Sequence, residues 1–291
     1  MASDFTVTLL GTGHPAPLLN RFGPSTLVEA GEIKLLFDCG RGTMQRLNQI
    51  NHDANEFNKL FLTHLHSDHI TGIPDLWITG RLRNRIEKPL RIWGQNGTKD
   101  MIHHLQQAFK IDTKVRSLAR VHDGVEWQVK GFNIEITEFD EGFVYYEDGV
   151  KVIPFKVPHH MGSDVPSYGF RVEYDGYSLV ISGDTCYSEN LIKYSEGVDL
   201  LIHEVAAAPL NRDIPEGIEF VLSYHTVPEE CGRIFRKVRP KLAVYYHIIL
   251  FMGVSLDEVL ERTSKVYDGP VIVGEDIMQI HVGEIVQVVN R

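Results

Sequence analysis

Apolar positions along this chain recur at two periods, every second residue and every third or fourth, and their succession sets the expected architecture. Phe5 to Leu10 reads as an opening strand that stops at Gly11–Thr12–Gly13. The next stretch, HPAPLLNRFGP over 14–24, reads as an exposed loop. Ser25 to Val28 and Ile33 to Phe37 predict a hairpin turning at Ala30–Gly31. Helical spacing marks Thr43 to Ile50, Ile73 to Leu82 and Lys99 to Phe109, with a strand at Leu90 to Trp93. The middle is strand-rich, with Val125 to Val129, Phe132 to Phe139 and Val150 to Val157. Tyr168 to Tyr174 and Tyr177 to Ser182 form a hairpin around Asp175–Gly176, a strong turn pair.

Toward the C-terminus the pattern predicts helices at Leu191 to Ser195, Pro228 to Val238 and Ser255 to Val266, the second behind a Thr226 cap. Strands are expected at Asp199 to Glu204, Leu242 to Tyr246, Val271 to Val273 and Met278 to Val282. No tandem repeat or low-complexity linker divides the chain. One domain over 1–291 follows, with two sheets face to face and helices outside.

Composition adds limits. The 29 Lys and Arg against 39 Asp and Glu leave a formal charge of -10, which argues against bulk electrostatic binding of polyanions. Bound dications would still reverse the sign inside one pocket. Cys39, Cys186 and Cys231 are odd in number and lack paired spacing, which favours reduced thiols and a cytoplasmic setting. No basic, apolar leader opens the chain, and no run approaches the roughly 20 apolar residues of a membrane span. The sequence is compatible with a homodimer.

The chemistry concentrates in Lys59 to Leu76, KLFLTHLHSDHITGIPDL. An apolar run feeds into His64, His66, Asp68 and His69. A strand ending there would point His64 and His66 the same way, and the following turn would offer Asp68 and His69. Downstream, His159 and His160 follow one apolar strand, Asp184 another and His247 a third. Ligands at strand ends converge on one edge of a sheet sandwich. Zinc suits this imidazole and carboxylate set, and manganese or iron would also accept it. Two such ions need a bridge, for which Asp184 is the evident carboxylate, and a hydroxide held between them is the expected nucleophile.

HLHSDH at 64–69 with His159, Asp184 and His247 in this order resembles the metallo-β-lactamase superfamily. Leu9–Gly13, Phe37–Gly40, Gly169–Arg171, Ser182–Thr185, His203–Glu204 and His225–Thr226 resemble its ribonuclease Z and arylsulfatase branch. The resemblance implies an α+β, four-layer αββα sandwich. It assigns His64, His66 and His159 to one metal, Asp68, His69 and His247 to the other, and Asp184 to both; His159 is preferred to His160 on the Val-Pro-His pattern. It also implies that His225, oriented by Glu204, handles a proton near the metals, as Asp68 could through its second oxygen.

Ribonuclease Z enzymes carry a tRNA-gripping arm between strands equivalent to Gly169–Tyr174 and Tyr177–Thr185, and here Asp175–Gly176 joins them directly. The expected partner is therefore a small ester-like molecule (a phosphodiester, sulfate ester, carboxylic ester or lactone), with nucleic acid set aside. Phe143, Tyr145, Tyr146, Met161, Phe251 and Met252 are the expected apolar pocket. Arg81, Arg83, Arg85, Lys88 and Arg91 read as a solvated face, and His52, His103, His104 and His122 as surface residues. The alternatives are a ribonuclease Z-type tRNA 3′ endonuclease and a non-catalytic binding protein on the same fold.

Overall fold

In the computed structural model, residues 4–83, 88–118, 120–122, 125–127, 132–159 and 164–289 are described, those of 120–122 and 125–127 as backbone. The strands are β1 (Phe5–Gly11), β2 (Ser25–Ala30), β3 (Ile33–Phe37), β4 (Lys59–Phe61), β5 (Leu90–Gly94), β6 (Arg120–His122), β7 (Val125–Trp127), β8 (Ile134–Glu138), β9 (Tyr145–Glu147), β10 (Val150–Val157), β11 (Ser167–Tyr174), β12 (Tyr177–Ile181), β13 (Leu200–Ala207), β14 (Leu242–Leu250), β15 (Val271–Val273), β16 (Met278–His281) and β17 (Gln287–Val289). The helices are α1 (Thr43–Gln49), α2 (Ser67–Ile70), α3 (Ile73–Leu82), α4 (Thr98–Ala108), α5 (Lys110–Arg116), α6 (Glu189–Tyr194), α7 (Glu216–Leu222), α8 (Pro228–Val238) and α9 (Leu256–Ser264).

One sheet runs β17-β16-β1-β2-β3-β4-β5-β8 and the other β15-β14-β13-β12-β11-β10-β9. Their period-2 alternation builds three apolar layers. Odd-numbered residues of the first sheet, among them Val7, Leu9, Leu35, Phe37, Phe61 and Trp93, meet Phe170, Leu179, Ile202 and Val244 of the second. Leu10, Leu27, Leu36, Leu60 and Ile92, on the other face, turn outward onto α1, α3 and α4. Val180, Leu201 and Ala243 turn onto α6, α8 and α9, where Cys231, Ile234 and Phe235 supply an i, i+3, i+4 stripe. The result is an αββα sandwich. Phe61 stacks on Trp93 at 4.7 Å and on Phe37 at 5.3 Å in its centre; truncating such a ring costs about 3–5 kcal/mol.

Several expectations change. β4 ends at Phe61, so His64 and His66 lie in the loop after it rather than on the strand. β13 runs on to Ala207 and β14 to Leu250, so Glu204 and His247 stand inside strands and not at their ends. Val227 takes the cap position of α8, while the Thr226 hydroxyl donates to the Thr185 carbonyl. In the 14–24 loop exposure is greatest over 17–20, while Gly23 and Pro24 are buried. Residues 128 and 129 of the predicted 125–129 strand lie outside the described residues.

Candidate metal centre

Five segments from both sheets deliver the site. Asp38, just past β3, adopts φ 59 and turns its carboxylate back under the His64 loop. Its Oδ1 accepts from the Thr63 backbone N–H at 2.8 Å, and its Oδ2 accepts from the Thr63 hydroxyl at 2.8 Å. The same Oδ2 lies 2.8 Å from His69 Nδ1, which ties that nitrogen and leaves Nε2 facing the site. His66 occupies the cap position of α2, which puts Asp68 in the first turn of the helix.

From the second sheet, His159 follows β10, and its Nδ1 donates to the Tyr224 carbonyl at 2.9 Å. Asp184 follows β12 through Gly183, whose φ is 62 and whose Cβ, were there one, would sit 2.4 Å from the Tyr168 carbonyl oxygen. His247 is the extra residue of a β-bulge. Glu204 pairs with Tyr246 and Val205 with Ile248, so His247 has no partner in the ladder and takes φ 44. The insertion flips the strand's alternation and aims the imidazole into the cleft.

These segments converge on Asp184 Oδ2. It lies 3.3 Å from His247 Nε2, 3.4 Å from His69 Nε2, and 3.8 Å from the Nε2 atoms of His64 and His159. Asp68 Oδ2 lies 3.3 Å from His247 Nε2 and 3.6 Å from His69 Nε2. His159 Nε2 lies 3.3 Å from His66 Nδ1. Ligand atoms of His64, His66, His159 and Asp184 come within 4.8 Å of one another, as do those of Asp68, His69 and His247. A third group, Asp184, His225 and His247, meets the same limit. His160 and Met161 lie outside the described residues.

The electrostatics suit a bound cation. Burial holds His64 well below its ordinary value and His159 down to about 3, so both present neutral lone pairs. For Asp184 burial works against charge, yet His247 and His69 pull it well below the usual carboxylate range. Burial also opposes charge on His69, but Asp184 and Asp38 outweigh it and push it well above its ordinary value. The buried carboxylates thus demand positive charge nearby. His69 Nε2 and Asp184 Oδ1 are buried without a well-formed hydrogen bond. Orphaned donors and acceptors at the centre of a mixed imidazole and carboxylate cluster fit divalent metal ions.

Beside the cluster, His225 Nδ1 donates to Glu204 Oε1 at 3.0 Å. The same oxygen accepts from the backbone N–H groups of Thr185 and Thr226. Burial lowers His225, but the Glu204 charge and hydrogen bond raise it to about 9. A cavity of about 320 Å³ opens over these groups, walled by Pro15, Val221, Tyr224, Ile249 and Phe251.

The expected apolar pocket is only partly present. Phe251 lines the cavity, but Tyr145 packs edge-on against Phe61 and Trp93 in the inter-sheet layer, joined there by Phe143, and Tyr146 is exposed. Arg81 is buried rather than solvated, Arg83 pairs with Asp53, and Arg91 lies over Trp93, whereas Arg85 lies outside the described residues. His103 and His104 are exposed on α4; the side chain of His122 is outside the described set. Sequence reasoning missed Asp38 as the support of His69, and it missed His14, which lines the cavity. Both depend on contacts between distant segments. The one sequence signal for either was the Asp-Cys-Gly end of a strand.

Known proteins resemble the chain over almost its whole length. The family described as anti-Pycsar protein Apyc1 matches residues 5–216. A ribonuclease Z of Mycolicibacterium gilvum (strain PYR-GCK) is 32% identical over 283 residues, covering 95% of this chain and 96% of the relative. The chain belongs to the Apyc1 and ribonuclease Z family. Another member, the ribonuclease Z of Mycobacterium tuberculosis (strain ATCC 25618 / H37Rv), is 31% identical over 278 residues, with 95% of this chain and 97% of the relative covered. The metallo-β-lactamase fold protein YhfI from Bacillus subtilis superposes with a TM-score of 0.74 at 21% identity, over 94% of this chain and 98% of that one. The short form of human tRNase Z gives 0.67 at 23% identity, over 94% and 98%. These likenesses place the Apyc1 and ribonuclease Z family member described here among metallo-β-lactamase-fold hydrolases that act on ester or phosphodiester bonds. They also weigh against setting nucleic acid aside, since ribonuclease Z relatives are nucleic-acid enzymes by name. Among the described residues no helix is long and apolar enough to cross a membrane.

Proposed function

We propose that the chain is a metal-dependent phosphodiesterase. The observation that carries this reading is Asp184 Oδ2 lying within 3.3–3.8 Å of four imidazole nitrogens that two sheets bring together. His64, His66 and His159 would hold one divalent ion and Asp68, His69 and His247 a second, with Asp184 between them. Zinc, or manganese or iron in its place, supplies Lewis acidity and an acidified water when bound. The chain's own residues do the rest. Asp38 fixes the His69 ring, and the Tyr224 carbonyl fixes His159. His225, kept protonated by Glu204, faces the cavity and donates to the oxygen that gains charge as the ester bond breaks. Asp68 accepts a proton through the oxygen that His247 does not engage.

Of the four ester classes the donor cluster allows, phosphodiesters are favoured by the ribonuclease Z relatives, because cleaving RNA is cleaving a phosphodiester. Elemental analysis and a chromogenic panel test the proposal together. About two divalent ions per chain and faster turnover of bis(p-nitrophenyl) phosphate than of aryl sulfate, lactone or β-lactam substrates are expected. Well under one ion per chain would sink the metal centre, and preferred turnover of another ester class would replace the phosphodiester reading. Asp184→Asn should abolish turnover while leaving the far-ultraviolet circular dichroism unchanged; retained turnover excludes the bridging role.

A second reading, a ribonuclease that processes tRNA 3′ ends, is favoured by the names of those same relatives. Against it stand the two-residue Asp175–Gly176 turn between β11 and β12, which leaves no arm there, and the net charge of -10. Rapid cleavage of a precursor tRNA at its 3′ end would establish it.

A further inference from the structure

His14 stands in the cavity wall beside the donor cluster, on a segment whose sequence suggests an exposed loop. It lies close enough to His247, Asp68 and His225 to feel their charges, yet it comes from the opposite sheet to His225, just beyond β1. The two residues before it, Thr12 and Gly13, are held from several directions. The Thr12 carbonyl accepts from Ile248 N–H at 3.0 Å, which ties the loop to β14 one residue past His247. Thr12 N and Oγ1 donate to Asp276 Oδ1 at 2.9 and 2.8 Å. Phe22 N donates to Asp276 Oδ2 at 2.7 Å, and Arg46 pairs with the same oxygen at 2.9 Å. Arg21 Nη1 reaches the Thr12 hydroxyl at 2.6 Å and the Gly274 carbonyl at 2.7 Å. Gly13 N donates to Phe22 O at 2.8 Å, so closely that a Cβ on Gly13 would lie 2.6 Å from the Arg21 carbonyl oxygen.

This clamp ends at His14, and no hydrogen bond joins the His14 ring to another described residue. The other polar groups of the cavity mostly have roles already. His66, Asp68, Asp184 and His247 belong to the donor cluster, and His225, held at Nδ1 by Glu204, is assigned to the oxygen that gains charge. Ser67 and Tyr224 present hydroxyls, but neither sits on backbone pinned in this way. A phosphodiester brings two non-bridging oxygens, and the donor cluster would not satisfy every lone pair they carry. A neutral imidazole on a rigid support is a suitable donor, since it always keeps one N–H.

We propose that His14 is a substrate-binding residue, whose imidazole N–H donates to a non-bridging oxygen of the phosphodiester bound in this cavity. The role presupposes the phosphodiester activity proposed above. Unlike His225, His14 has no carboxylate behind it. Its contribution is a neutral hydrogen bond made equally to substrate and transition state, which acts on KM more than on kcat.

The test compares wild type, His14→Ala and His14→Gln, each fully loaded with metal. For bis(p-nitrophenyl) phosphate, His14→Ala should raise KM about tenfold, the upper end for one neutral hydrogen bond, and change kcat less than about twofold. His14→Gln keeps an N–H donor at similar reach and should recover most of the KM. The dissociation constant for inorganic phosphate, read by calorimetry, should weaken in His14→Ala by a similar factor. KM and the phosphate constant both within twofold of wild type would overturn the proposal. Loss of metal or of thermal midpoint in His14→Ala would overturn it too, by making His14 a ligand or a brace. If wild type binds metal but leaves the diester intact, the phosphodiester reading fails instead. Phosphate binding then still decides whether His14 grips an oxyanion.

Discussion

Asp38 shows how one residue outside the donor cluster sets its quality. Its two oxygens hold Thr63, which leads into the His64 loop, and the Nδ1 side of His69, so one carboxylate orients two parts of the site. Such supports typically contribute 10–100-fold to metal affinity. Asp38→Asn should weaken zinc binding by about that factor in competition with a chelating dye; affinity within twofold of wild type would show that His69 needs no such support. His225 supplies a pH prediction. Its folded value is raised to about 9, so it is protonated below that pH and loses its donor role as pH rises through it. Cations in the adjacent donors draw the value down. The kcat profile should therefore show an alkaline limb at or below about pH 9, missing in His225→Gln. A limb that survives this substitution belongs to another group. Cys39 is pushed up to about 12 by burial, with Asp75 and Asp38 adding to it, so it is a thiol at any working pH and no nucleophile. The donors were legible in the sequence because their chemistry is dense, three His and one Asp within 64–69. Asp38 and His14 were not, because each acts through residues more than 20 positions away.

The strands show a different limit. Runs of apolar residues located β1, β3, β5, β10 and β12 to within a residue or so, since most of their positions are buried. The pattern stopped β14 at Tyr246, and the reason is the bulge: His247 breaks the alternation, and the strand resumes with its faces exchanged. A broken period reads as an ending when it is here the device that aims a side chain. Helices α5 and α7 have no buried residue, so they leave no apolar stripe to read. Gly183 is the corresponding constraint at Asp184. Left-handed backbone costs a non-glycine residue about 1–2 kcal/mol, and an added Cβ would also press on the Tyr168 carbonyl at 2.4 Å. Gly183→Ala should lose about 2 kcal/mol or more in urea unfolding, together with metal affinity, because Asp184 moves with it. A loss below about 0.5 kcal/mol would mean the turn relaxes freely, as surface substitutions do.

Across the molecule, the layers were legible because the central strands of both sheets need cover on both faces, which leaves few arrangements for alternating strands and helices. The substrate was less legible, since a cluster of His and Asp does not encode the size of what enters. Charge separates the two remaining cases. A protein that grips RNA through several phosphates releases counterions, and its affinity falls steeply with salt, by about 10³-fold or more between 50 and 200 mM for six or more contacts. This chain carries -10 overall, and Arg81, Arg83 and Arg91 of its basic stretch are engaged with the protein's own core, Asp53 and Trp93 rather than arrayed on a groove. Two carboxylates, Asp68 and Asp184, would not cancel two divalent ions, and the net positive charge left there would attract one phosphate at short range and little beyond a Debye length of roughly 10 Å. Over that salt range, kcat/KM for a small diester should therefore change by less than about threefold. If a precursor tRNA proves to be cleaved, its kcat/KM should show an equally shallow slope, because the cavity would be reading the scissile phosphate and not the body of the RNA. A steep slope with tRNA would instead require a cationic surface outside the cleft that grips the body of the RNA.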